Sequence, residues 1–494
     1  MLKSCVFFDE ITVWWERFSS PSEEYEIYLD GGLCERISKT HYTFSCLESG
    51  REYSVKINVT LSGKPVSSVE ERITTKGQKK RIDVSGDPYF AVADGATLNT
   101  AAIQRAIDDS DADSYVYFPA GRYLTGALDL HSNTELYIDE GAVLLGSESP
   151  LDYLPKIKSR FEGCEMECYR SLINIGTLDR SKYTVENVII RGKGAIYGGG
   201  AALAKATIER EREALKEHLL ENAEYVKTCE NEDTIPGRAR GRLINISSAN
   251  GVVIAGLALG YSASWNVHFI YSKNITTYGC SISSRGVWNG DGWDPDSSED
   301  AVIFDTTFDT HDNAIAIKSG KNPEGNEIGI PTRNIRIFDC RGKNDIAIGS
   351  ELSGGVDGVY VRDCHFFDSW GINIKTTPER GGYIKNIDVR DSDLSSITIR
   401  TRINFNNDNV GAGYLTDIHG LRFENLLLQG VFTNANDERT LISPISIDGF
   451  DDENTKICDV TFKNIKILPR EDGEMQTIKF RNVKGLLLED IELL

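Results

Sequence analysis

"NITTYGCSI" (274–282), "DAVIFDTTF" (300–308), "NIRIFDCRG" (334–342) and "GVYVRDCHF" (358–366) are one pattern written four times. Each copy opens with Asn, Asp or Gly, alternates apolar residues, turns, and adds a second short apolar run. "GVVIAGLAL" (251–259) comes before them, and "NIDVRDSDL" (386–394), "GLRFENLLL" (420–428), "DVTFKNIKI" (459–467) and "GLLLEDIEL" (485–493) follow. "NVIIRGKGAIYG" (187–198) is an earlier relative of the same unit. The copies are about 23 to 39 residues apart, and the excess falls in loops. Units this short, built mostly of strand, cannot bury a core alone and must stack. The pattern therefore predicts an all-β chain whose main body is a right-handed parallel β-helix.

At 494 residues the chain has room for more than one domain. Its start, residues 1–74, is patterned differently. "YEIYLDGG" (25–32) and "THYTFSCLESGREYSVKINVTL" (40–61) read as antiparallel strands. The spacing Leu47-x-x-Gly50-x-x-Tyr53 resembles the fibronectin type III sandwich, in which the tyrosine makes a corner hydrogen bond. A polar linker, "TTKGQKKR" (74–81), follows, so the expected domains are 1–76 and 82–494. Between the two patterns, "DGATLNTAAIQRAIDDS" (94–110) predicts a helix capped at Asn99 or Thr100, with Ile103, Ala106 and Ile107 on one face. The charged run at 201–230 predicts a helical insertion, either a lid or a solvated flank.

Net charge of −21 argues against nucleic acid or an anionic membrane as partner. No apolar run approaches the roughly 20 residues of a spanning helix. The opening "MLKSCVFFDEITVWWERF" has no signal-peptide core, and ten cysteines without an export signal point to reduced thiols and a cytoplasmic location. Cys280, Cys340 and Cys364 share one repeat position with Leu257, Thr306 and Ser392, as expected of an inward ladder of small side chains. Histidines 41, 131, 218 and 419 form no constellation.

The stretch "NGDGWDPDSSEDAVIFDTTFDTHDNAIAIKSG" (289–320) concentrates seven aspartates. Asp291 and Asp312 are 21 residues apart, with Lys343 and Lys375 at further intervals of 31 and 32, each close to one coil. Coils stack about 4.8 Å apart. The spacing thus predicts a ladder of Asp291, Asp312, Lys343 and Lys375. Two carboxylates about 5 Å apart repel by roughly 3 kcal/mol at an effective dielectric near 20, enough to hold a proton on one of them. An acid beside an ionised base suits glycoside cleavage. The rival is a calcium site, which needs six or more converging oxygens, and two lysines oppose it. Asp300, Asp305 and Asp309 read as strand-edge and turn residues.

Residues 81–494 resemble glycoside hydrolase family 28, the polygalacturonase family, in "NTAAIQRAID", "FPAGRYLTGAL", "SWNVHF", "DGWDPDSS", "IAIKSGKNPEG" and "IGSELSGGV". That resemblance implies a parallel β-helix, inverting hydrolysis and no metal or organic cofactor. A fibronectin-like domain ahead of it resembles exo-acting bacterial members. The family's Asn-Thr-Asp matches Asn289-Gly290-Asp291, which makes Asp291 the expected base. Its Asp-Asp matches Asp312-Asn313, with Asp312 the expected acid. Its Gly-His-Gly matches Gly342-Lys343-Asn344, and its Arg-Ile-Lys matches Asn373-Ile374-Lys375. The resemblance also implies sugar contacts from Asn289, Asp294, Asn313, Lys343, Asn373 and Lys375; Glu351 and Trp370 are either further sugar contacts or structural. Loss of the arginine removes a bidentate clamp for a carboxylate. Three functions fit: an exo-acting hydrolase of pectin-derived oligosaccharides, a hydrolase retargeted to a rhamnogalacturonan fragment or plant glycoside, and a non-catalytic carbohydrate-binding protein.

Overall fold

The computed structural model describes residues 2–17, 22–403, 410–434 and 437–494. The chain divides into two compact units, Met1–Arg81 with Asp113–Tyr115, and Ile82–Ala112 with Val116–Leu494. In the first unit, Lys3–Val6, Glu10–Trp14 and His41–Ser45 form one antiparallel sheet, and Gly32–Ile37, Glu23–Leu29, Glu52–Leu61 and Lys64–Thr74 form another. Alternate residues of these strands, among them Ile11, Val13, Tyr25, Ile27, Phe44, Val55 and Ile57, build its core. The Tyr53 hydroxyl accepts the Glu48 backbone N–H at 2.8 Å, which is the corner bond that the Leu-x-x-Gly-x-x-Tyr spacing implies.

The second unit is a parallel β-helix with a 22-stranded and an 11-stranded sheet. In the larger sheet the middle coils contribute two successive strands each, for example Lys273–Tyr278 and Ser281–Ser283, then Glu299–Phe304 and Thr307–Asp309, and the last coils one long strand, such as Tyr383–Leu394. The repeat has a backbone cause. Its first residue is left-handed in every copy, from Gly251 (φ 80°), Asn274 (57°), Asp300 (54°) and Asn334 (52°) to Asp459 (54°) and Gly485 (67°). So is its sixth, including Gly279 (62°), Asp305 (48°), Asp339 (47°), Asp391 (49°) and Asn464 (51°). Only Gly, Asn and Asp enter that region cheaply, so the two corners of each coil select those residue types. Between the corners Val252, Ile275, Ala301, Ile335, Val359 and Ile387 stack inward in register. Tyr278, Phe304 and Phe338 stack nearly parallel, with centroids 5.0 and 4.8 Å apart. Cys280, Cys340 and Cys364 are buried free thiols, as expected of the small-residue ladder.

The helix Thr100–Asp108 buries Ile103, Ala106 and Ile107. Asn99 stands at its N-cap position but makes no capping bond; its amide binds Val92 and Thr97 instead. In the insertion, the helix Gly200–Ala214 buries Leu203, Ala204, Thr207 and Ile208, whereas Lys216–Glu221 and Ala223–Val226 bury nothing, so it is a flank with a solvated end. No helix among the described residues is long and apolar enough to cross a membrane.

Candidate active site

The site lies on the outer face of the 11-stranded sheet. Along its strands Ile173, Ile244, Val267, Trp293, Ile315, Ile346 and Ile372 stack into the core. The next register position reads Asn174, Asn245, His268 and Asp294, then Ala347 and Asn373. Trp293 is therefore a core residue, its indole N–H held by Thr277 Oγ1 at 3.1 Å.

The turn before strand Trp293–Asp296 brings Asp291 over this face. Gly292 permits the approach, because a Cβ there would lie 2.3 Å from the Ala314 carbonyl oxygen. Asp291 is 2% exposed, and its Oδ2 lies 3.3 Å from Lys318 Nζ. The same ammonium is 3.9 Å from both Asp294 and Glu351 and sits 4.6 Å above the Trp265 ring. Asp291 Oδ1, both Asp294 oxygens and Glu351 Oε2 are buried with no hydrogen-bond partner. Burial pushes the Asp291 carboxyl up to about 7; Lys318 opposes the rise, Asp312 adds to it, and Lys375 opposes it. Burial and the neighbouring Asp291 hold Asp294 well above the carboxylate range. Lys318 remains a cation despite its burial, because Glu351, Asp291, Asp294 and Asp312 surround it. Burial, more than carboxylate repulsion, thus sets the proton on Asp291.

Asp312 is half-buried, and its Oδ1 accepts the Asn313 N–H at 2.9 Å. The predicted four-rung ladder needs correction. Trp293 pairs with Ile315, and Gly292 N–H donates to the Asn313 carbonyl at 3.0 Å, so Asn313 lies opposite Asp291 and Asp312 is one residue offset. Lys375 shares its register column with Arg400 of the following strand. Lys343 ends a strand of the other sheet, opposite Asp309, and its ammonium turns to Asp437 at 3.5 Å. There it lines a polar cavity of about 520 Å³ with Arg285, His311, Asn344 and Arg439. The loops between strands differ in length, so equal sequence intervals do not mean equal register.

The other expected residues are placed as follows. Asn289, at φ 52°, accepts from Arg240 at 2.6 Å, and that guanidinium stacks on Trp288. Trp370 stacks on Phe432 with centroids 4.7 Å apart and lies under Arg400. Arg402, which is not among the expected site residues, is committed to Asp451 at 2.9 Å. Lys375 Nζ donates to Asn313 Oδ1 at 3.1 Å, and Asn373 donates to Asp345 at 2.7 Å.

Sequence reasoning passed over Lys318, Asp345, Arg400 and a hairpin formed by Ile157–Phe161 and Cys164–Cys168. The hairpin reaches the floor strands. Ser159 Oγ donates to Asn245 at 3.0 Å, Arg160 pairs with Asp296 at 2.7 Å, and Phe161 stacks on Trp265 at 4.7 Å. Arg160 and the bond from His268 outweigh burial and hold Asp296 down to about 2, whereas burial drives His268 down to about 3 and keeps it neutral. Only Lys318 had a signal, being the one basic residue in its acidic stretch.

Comparison with known proteins gives the family. Residues 177–486 match Glycosyl hydrolases family 28, and residues 85–142 match the Rhamnogalacturonase A/epimerase, pectate lyase-like family. The chain belongs to glycosyl hydrolases family 28. A probable polygalacturonase of Vitis vinifera is 33% identical over 323 residues, covering 61% of this chain and 58% of that one. An exo-poly-alpha-D-galacturonosidase of Dickeya chrysanthemi is 26% identical over 373 residues, covering 71% of this chain and 61% of that one. The chain thus spans about three-fifths of each relative's length. A family 28 exopolygalacturonase of Yersinia enterocolitica has the same fold, with a TM-score of 0.83 at 20% identity over 100% of this chain and 96% of that one. Asp291, Asp312-Asn313, Lys343 and Asn373-Lys375, which the sequence alone offers as the site, come from four successive coils.

Proposed function

We propose that the protein is an inverting glycoside hydrolase that releases sugar units from one end of pectin-derived oligogalacturonides. The observation that carries this reading is the buried Asp291 beside Lys318, its pKa raised by burial to about 7 with a smaller push from the half-buried Asp312 of the next coil. Asp312 protonates the leaving glycosidic oxygen, and Asp291, once ionised, takes the proton of the attacking water. Lys318 favours the ionised base. Lys375 and Arg400 supply positive charge for a uronate. Exo action is supported by the names of the Dickeya and Yersinia relatives, and the hairpin that bonds to Asn245 and Asp296 is the element placed to limit the site on that side. Free thiols throughout the chain support a reducing, cytoplasmic place of action in pectin breakdown.

One observation favours a second reading. Asn373 stands where the family has arginine, and it faces the carboxylate Asp345. That weakens a uronate clamp and suits a family member retargeted to a less charged glycoside. Reducing-end-labelled oligogalacturonides and a panel of neutral plant glycosides separate the two. Successive loss of single uronate units, with NMR showing inversion at the released anomeric carbon, is the expected result. Turnover of neutral glycosides alone would favour the second reading, and internal cleavage would overturn exo action.

A further inference from the structure

Asp345 is 3% exposed and lies between two amides contributed by other coils. Asn313 Nδ2 donates to its Oδ1 at 2.8 Å and Asn373 Nδ2 to its Oδ2 at 2.7 Å. The opposite end of each amide holds a cation. Asn313 Oδ1 accepts from Lys375 at 3.1 Å, and Asn373 Oδ1 accepts from Arg400 at 3.0 Å. The five side chains form a chain, Lys375–Asn313–Asp345–Asn373–Arg400, with the only carboxylate at its centre.

We propose that Asp345 is a positioning residue that fixes both amides, and through them the two cations that meet the sugar; this rests on the carbohydrate-active reading above. The logic is one of donors and acceptors. A carboxylate only accepts, so each neighbouring amide must turn its NH2 inward and its oxygen outward. The outward oxygens are what Lys375 and Arg400 need. An amide at 345 could accept from one neighbour, but its own NH2 would oppose the NH2 of the other. That neighbour would then flip and aim its NH2 at a cation. Buried and coupled, such a network fails as a unit. The negative charge also steadies Arg400, whose guanidinium is otherwise disfavoured by burial.

The test is a charge exchange between 313 and 345. Asn313→Asp alone sets two carboxylates against each other. Asp345→Asn alone leaves two NH2 groups facing. The double variant satisfies every group again. Its carboxylate, now at 313, accepts from the NH2 of the amide at 345 and from Lys375, while the oxygen of that amide accepts from Asn373. Each single variant is expected to lose at least about tenfold in kcat/KM on the best oligosaccharide, and the double to return within about threefold of wild type. Oligosaccharide affinity by calorimetry is measured on the same four proteins and should follow the same pattern. Melting curves accompany both; if Asp345→Asn fails to fold, recovery of folding and binding together in the double variant decides equally. A double variant no better than the worse single, or a near-wild-type Asp345→Asn, overturns the proposal. Absence of turnover in wild type overturns the hydrolase reading, while the affinity cycle still reports on Asp345.

Discussion

Asp300 and Asp305 stand at the corners of the larger sheet, whereas Asp291 and Asp294 lie on the outer face of the smaller one, and a few residues of sequence separate the pairs. The corner aspartates are half-buried, left-handed, and tied into their corners; Asp300, for example, accepts from Asn334 of the next coil at 2.5 Å. The Asp300 carboxylate is taken up by side chains of the neighbouring coils, Asn334 and Lys273. Asp291 and Asp294 are buried, keep unpartnered oxygens, and are charged against one another and against Lys318. A fold rarely retains buried carboxylates with oxygens left unbonded for stability, because desolvation disfavours them. The contrast teaches that position in the coil, and not local acidity, decides whether a carboxylate is structural or chemical.

The contrast is broken most directly by neutralising one member on each side. Asp291→Asn and Asp312→Asn are each expected to lower kcat by roughly 10²- to 10⁴-fold with the fold retained. Asp305→Asn and Asp309→Asn should stay within about twofold, because asparagine also adopts the left-handed corner of Asp305, and Asp309 pairs at the surface with Arg285. Steady-state rates on the same oligosaccharide decide between them. A near-active Asp312→Asn would remove it as the acid.

A smaller effect sharpens the electrostatics. Lys318 lowers the Asp291 pKa, so Lys318→Met should raise it and move the acidic limb of the pH–rate profile upward by roughly one unit. Activity at pH 7 would fall about fivefold and recover in part at pH 8.5. A uniform loss at all pH values would show that Lys318 binds substrate and does not tune the base.

The β-helix was legible because its corners restrict residue type, so Gly, Asn and Asp recur at fixed places whatever the loop lengths. The fibronectin-like corner was legible for the same reason, a fixed spacing around Tyr53. Of the candidate site, the nearness of Asp291 and Asp312 was legible, because the chain between them is a single coil. The rest of the site was not. Lys343 and Lys375 are almost equally spaced from their neighbours in sequence, yet they fall on different sheets, because loop residues are counted in the interval and not in the register. Asp345 is bound by residues 32 and 28 positions away, and Arg160 reaches Asp296 across 136. Hydrogen bonds between coils fix such partners, and no single repeat encodes them.

The smallest expected effect reports what the buried carboxylate Asp291 costs the fold. Asp291 has a folded pKa of about 7 against roughly 3.9 in an unfolded chain. A group raised in this way holds its proton better when folded. Its stabilising contribution is therefore complete below about pH 4 and is lost as pH rises towards 7, by on the order of a few kcal/mol. Asparagine at this position does not titrate. Asp291→Asn should consequently melt close to wild type at pH 5 and several degrees above it at pH 8, although it has lost its activity. The corner variant Asp305→Asn should show no such divergence. Melting curves of the three proteins across pH 5 to 8 test this, and a gap between Asp291→Asn and wild type that stays constant or narrows with rising pH would mean that Asp291 is ionised at little cost. In that case the neighbouring Lys318 outweighs burial, and the acidic limb of the rate profile should lie well below pH 7.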